Sequence, residues 1–201
     1  SGRVELFDLA STLDLASARI SGGVIQGPGI LRPGFPGELL NVALSGVTAE
    51  IRDNQFLDIL GGTLTNNGTI RLLDDPAVPQ FVAAFRTHDA VLLDGSGRIV
   101  FASNGNNQIS GFSGSTLTVG PDQTITTTSG ALGAISSTLL NQGVIEANGG
   151  NLTLSGANKT NTGVLRARSG GNLTLSSFTL DNASGRVELF DLASTLDLAS
   201  A

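Results

Sequence analysis

The chain has 201 residues, 40% of them apolar, with 27 glycines, ten arginines, one lysine (Lys159), one histidine (His88) and a formal net charge of −6. That apolar content excludes a disordered chain, and arginines scattered over an acidic protein leave no basic stripe for nucleic acid and no polybasic cluster for an anionic membrane. No run approaches the roughly 18 apolar residues that insert directly across a bilayer, and the lack of cysteine leaves the redox compartment open.

The first eighteen residues, SGRVELFDLASTLDLASA (Ser1–Ala18), return letter for letter as Ser184–Ala201. Residues 1–183 therefore read as one tandem repeat unit and residues 184–201 as the start of the next identical unit. Units that touch only their neighbours build a long, quasi-one-dimensional molecule. Inside the unit a shorter pattern, Gly-x-aliphatic-x-apolar, opens at Gly2/Val4/Leu6, is trailed by Leu13/Leu15, and restarts at Gly23/Ile25. Residues 27–37 (GPGILRPGFPG) then read as a loop that presents Arg32 and Phe35. A degenerate turn is expected near Gly46, and the pattern resumes at Gly68/Ile70/Leu72.

Residues 73–96 form the second expected loop. The step from Ile70 to Ile99 is longer than its neighbours, which implies an insertion, and Pro76 and Pro79 direct the chain out of the strand. Pro76–Ala90 is expected to project from the body and to carry Phe81, Phe85, Arg86 and His88. Gly97/Ile99/Phe101 follows, then a degenerate turn near Gly120 and the run Thr124-x-Thr126-x-Thr128. Gly143/Ile145/Ala147, Gly163/Leu165/Ala167 and Gly185/Val187/Leu189 complete the series, with Leu152/Leu154, Leu173/Leu175 and Leu196/Leu198 between and after them. Asn66, Asn141 and Asn161 each stand two positions before one of these glycines.

Period-two alternation over three to five residues marks short strands with one buried face. Strands this short, punctuated by Gly, Asn and Ser, fit an all-β fold in which coils stack in parallel about 4.8 Å apart. The pattern gives about eight turns of roughly 23 residues per unit, a β-solenoid. Ile70, Ile99, Ile145, Leu165 and Val187 are expected in one inward column. Glu146, Arg166 and Glu188 are expected in an outward ladder of alternating charge.

LTNNGTIRL (Leu64–Leu72), LLDGSGRIVFASNGNNQISG (Leu92–Gly111), LLNQGVIEANGGNLTLSG (Leu139–Gly156) and NTGVLRARSGGNLTLSS (Asn161–Ser177) resemble the right-handed parallel β-helix repeats of bacterial filamentous-haemagglutinin-like and autotransporter adhesins. The resemblance implies a right-handed helix and a secreted or surface-displayed stalk with adhesion at loops or at a tip. Its partners would be identical units stacked head to tail, advancing about 38 Å per unit along one screw axis. Glycans or another cell surface would be met through the repeated loops, with Arg32, Phe35, Phe81, Phe85, Arg86 and His88 as candidate contacts. No cofactor, metal ligand or catalytic residue is assigned. The alternative is a polysaccharide lyase or hydrolase, because enzymes on parallel β-helices cluster carboxylates on one face. The only local concentration here is Asp74, Asp75, Arg86, His88, Asp89 and Asp94. His88 beside Asp89 lacks a serine or cysteine nucleophile in a recognisable setting.

Overall fold

A strand of three to five alternating residues buries one face only, so it needs a hydrogen-bonded neighbour on each side and an apolar layer opposite. The computed structural model, which describes residues 2–78 and 80–199, meets both needs by coiling the chain. It is a right-handed parallel β-helix of about nine turns. Among the described residues there are 25 strands and no helix, and the strands pair in parallel with the coils before and after, those of the first and last coils on one side only.

Each coil has three faces. The first face begins with Arg3–Glu5 beneath Val24–Gln26, the second with Thr12–Asp14 beneath Ile30–Arg32, and the third with Arg19–Ser21 beneath Gly37–Leu40. Two long strands, Ala43–Arg52 and Gly62–Leu73, bend from the first face into the second, the former with a bulge between Ser45 and Thr48. They join these faces into one sheet of 16 strands, while the third face is a separate sheet of nine. The coil length varies at the corners: on the third face, the coil from Arg19 to Glu38 is short, whereas the one from Asp58 to Arg86 is long. Eight third-face strands lie within residues 1–183, in keeping with about eight turns per unit, and the ninth, Thr195–Ala199, belongs to the second copy.

The inward column of the second face runs Leu13, Leu31, Ala49, Ile70, Ile99, Ile125, Ile145, Leu165 and Val187, each in register with the next. Ile125 fills the degenerate turn near Gly120. Across the interior, Leu57, Phe85, Ile109, Ile135, Leu154, Leu175 and Leu198 line the third face. Size is balanced between the layers. Phe101 occupies the space left by Gly133, where a Cβ would lie 2.6 Å from the phenyl ring.

Both expected loops are shorter than the sequence implied. Residues 27–37 contain the second-face strand Ile30–Arg32, and residues 73–96 contain the regular strands Ala83–Thr87 and Ala90–Asp94. Among the described residues there, the longest stretch outside the ladder lies between Leu73 and Ala83; Pro79 is outside the described residues. Phe85 is therefore not a displayed loop residue. It is fully buried, in register between Leu57 and Ile109. The AAFRT run alternates over too few residues to be distinguished from loop by sequence.

The two identical copies also depart from eight whole turns. Val4 pairs with Ile25 on the first face, whereas its equivalent Val187 pairs with Leu165 on the second. The screw relating the copies thus carries a rotation by one face in addition to its advance.

Gly133→Ala should destabilise the chain by about 1–3 kcal/mol through overpacking against Phe101. Denaturant unfolding checks this, and Phe101→Leu in the same chain should recover part of the loss.

Candidate functional site

Outward positions of the third face carry Glu38, Asp58, Arg86 and Ser110 on successive rungs. Such positions normally face water, yet Asp58 is 2% exposed because two side chains from the next coil cover it. Arg86 donates from Nε to Oδ1 at 2.6 Å and from Nη2 to Oδ2 at 2.8 Å. His88 Nε2 lies 2.8 Å from Oδ2, and because a carboxylate only accepts, Nε2 carries the proton in this contact. The guanidinium sits 3.9 Å from the centre of the Phe56 ring and 5.4 Å from that of Phe112. Phe112 in turn stacks on His88 at 4.0 Å, and Phe35 leans on Phe56 at 4.9 Å.

The result is a patch of three phenylalanines around a locked Asp–Arg–His cluster. Phe35 and Phe112 remain 55% and 46% exposed. Flat apolar rings beside fixed polar groups suit the face of a sugar or another planar group. The coil brings together Phe35, Arg86 and His88 from the two sequence segments singled out above. It does not bring Arg32, Phe81 or Phe85 to them. Arg32 lies on the second face in register with Asp14, Phe81 is half-buried ahead of its strand, and Phe85 is core. Phe56 and Phe112 escaped the sequence reading, since a rung partner a whole coil away leaves no local signal.

On the second face the outward row runs Glu50, Arg71, Val100, Thr126, Glu146, Arg166 and Glu188. Burial by itself opposes ionisation of Glu146. Hydrogen bonds from Arg168, Arg166 and Thr126 outweigh it and hold the carboxyl below its ordinary range. Glu188, beside Arg166 in register, has Arg186 of its own strand 3.4 Å away. The alternation of charge lapses at Val100 and Thr126, and there the face hollows into a polar groove of about 980 Å³. Arg71, Arg98, Thr126, Thr128, Asn148 and Arg168 are among its lining residues.

The acids between residues 74 and 94 are dispersed. Asp74 and Asp75 approach Asp53, Asp89 packs beside Gly61, and Asp94 gives its backbone carbonyl to Gln123. Among the described residues no three of His, Asp and Glu are placed to hold a metal ion. Burial raises the Asp74 carboxyl, with the neighbouring Asp53 and Asp75 adding to this, although it accepts a bond from the Asn106 amide. Its Oδ1 has no partner.

Lys159 occupies an inward position between Leu139 and Leu180, where burial pushes its ammonium down to about 8. Nζ donates to the carbonyls of Ser137, Ser155 and Ala157 at 2.8–3.0 Å and lies 4.7 Å from the Phe178 ring centre. Its appearance in a Leu column could not be read from a lone Lys in a turn-rich segment.

No protein-family model, no curated protein and no solved structure matches this chain.

Because the folded Asp74 value lies above the unfolded one near 3.8, the folded chain keeps that proton longer, and stability falls as pH rises past the ordinary carboxylate range. Asp74→Asn removes this loss. It should melt above the parent at pH 7, with the difference closing below about pH 4 as the parent carboxyl protonates in both states; thermal melts across that range check it.

Proposed function

We propose that the chain is a structural repeat of a long extracellular filament or cell-surface adhesin stalk, of the filamentous-haemagglutinin-like kind that its segments resemble. One observation carries this reading: parallel pairing continues from coil to coil on all three faces, while the chain repeats its opening eighteen residues at its end. The second copy stacks on the preceding coil through Leu165–Val187 and Leu173–Leu196, so the junction between units is an ordinary rung. Strength along such a stalk comes from backbone bonds between coils and from the dry columns inside.

Adhesion is the second part of the proposal. The Phe35–Phe56–Arg86–His88–Phe112 patch and the second-face groove occur once per unit. Weak contacts with glycans or another cell surface at either site would multiply along the array through high effective concentration.

A two-unit chain, in which residues 1–183 precede the whole sequence, tests the stalk. Small-angle scattering should show a particle longer by about 40 Å with an unchanged cross-section, the advance expected of just over eight rungs. A doubled cross-section would mean that units fold back side by side and would defeat the filament. For adhesion, Phe35→Ser combined with Phe112→Ser should abolish any signal the two-unit chain gives on a glycan array while leaving its melting curve intact.

A further inference from the structure

The duplicated segment adopts the same local conformation twice. In the first copy Asp8 Oδ1 accepts the amides of Ala10 and Ser11 at 2.9 and 2.8 Å and the Ser11 hydroxyl at 3.1 Å. In the second, Asp191 Oδ1 accepts from Ala193, Ser194 and the Ser194 hydroxyl at 3.1, 2.9 and 2.9 Å. Yet the first copy turns this corner between the first and second faces, and the second copy turns it between the second and third. In a tandem array every internal copy must make both sets of contacts at once. It stacks on Val164–Arg168 of the preceding unit, as Arg186–Leu189 does, and beneath Val24–Gln26 of its own, as Arg3–Glu5 does.

We infer that the unit spans eight and one-third turns, so that each unit is rotated by one face relative to the unit before it. This rests on the filament reading and adds the direction in which each unit looks. The first face of every unit continues the second face of its predecessor. The Arg86–His88 patch lies on the third face of every unit, so seen from one unit the patch of the next is in line with its first face and that of the one after with its second. Three units complete the cycle, and the filament displays its patch around its whole circumference rather than along one side.

The chain is built to tolerate the exchange. The inward residues of the segment are all aliphatic, Val4, Leu6, Leu13 and Leu15, and make no demand peculiar to one face. The step from Leu13 to Ile20 crosses from the second face to the third. Steps of the same length, Leu152 to Lys159 and Leu173 to Leu180, cross from the third face to the first. Arg19–Ser21 of a following unit therefore reaches the first face, over Leu180–Asp181, without any change in corner length.

The cysteine-free chain allows a direct test, because facing outward residues on adjacent rungs stand within disulfide reach. Glu5→Cys with Gln26→Cys, and Arg166→Cys with Glu188→Cys, should each form an intrachain disulfide under mild oxidation, as should the control pair Thr126→Cys with Glu146→Cys. Closure of Glu5→Cys with Arg32→Cys, or of Thr160→Cys with Glu188→Cys, would place both copies on the same face and overturn the rotation. So would failure of the diagnostic pairs while the control closes. The same pairs in the two-unit chain separate the two ideas: in-phase closure on a straight rod defeats only the rotation, whereas a folded-back particle in scattering defeats the filament itself.

Discussion

The parallel backbone ladder between coils is the constraint from which the rest follows. Strands of three to five residues cannot satisfy their amides and carbonyls alone, and here each, apart from those of the first and last coils, is bonded to the coils on either side. A residue's neighbours are therefore set by positions about one coil away, and like residues stack on like. Ile70, Ile99, Ile125 and Ile145 form a column with no exposed surface for this reason. The same rule leaves an open edge wherever stacking stops. Leu189 and Leu198 of the second copy are 53% and 61% exposed, while their equivalents Leu6 and Leu15 are buried.

Corners are the weak point of this scheme, because the chain leaves the ladder there and its carbonyls need other donors. Side-chain amides repeat along the axis to meet that need. Asn141 donates to Asn161 at 2.7 Å, Asn161 to Asn182 at 2.6 Å, and Gln123 to the Asn66 carbonyl at 2.7 Å. Lys159 does the same work with a cation, its three protons matched to three carbonyls. Asp58 and Glu146 show the anionic counterpart, each buried under guanidinium groups from a neighbouring coil. The matching is incomplete at Asp74 Oδ1 and Asn141 Oδ1, which are buried without a partner.

With interior and corners committed to stacking, variation is left to outward positions and to the few residues that lengthen a corner. These positions carry the aromatic patch on the third face and the groove on the second. A contact site can therefore change without disturbing the column beneath it, as the proposed adhesive stalk would use. The duplicated segment carries inward residues, Val4, Leu6, Leu13 and Leu15, that any face accepts, as the proposed array requires.

The sequence by itself determined the strand periodicity, the coil length, the inward column from Ile70 to Val187 and the outward row through Glu146 and Arg166. All of these are written as a local alternation repeated at a roughly constant interval, and a stacked fold turns interval directly into contact. Asn66, Asn141 and Asn161 were legible as corner residues for the same reason. Only the tertiary structure decided where the corners fall, because a short corner and a long one differ in composition too little to mark which part re-enters the ladder. Phe85 thus moved from loop to core. Phe56 and Phe112 joined Arg86, and the acids near His88 were separated. The face taken by each copy of the duplicated segment was likewise beyond the sequence: identical residues have identical local preferences, and the coil beneath them chooses between faces that are equally apolar within.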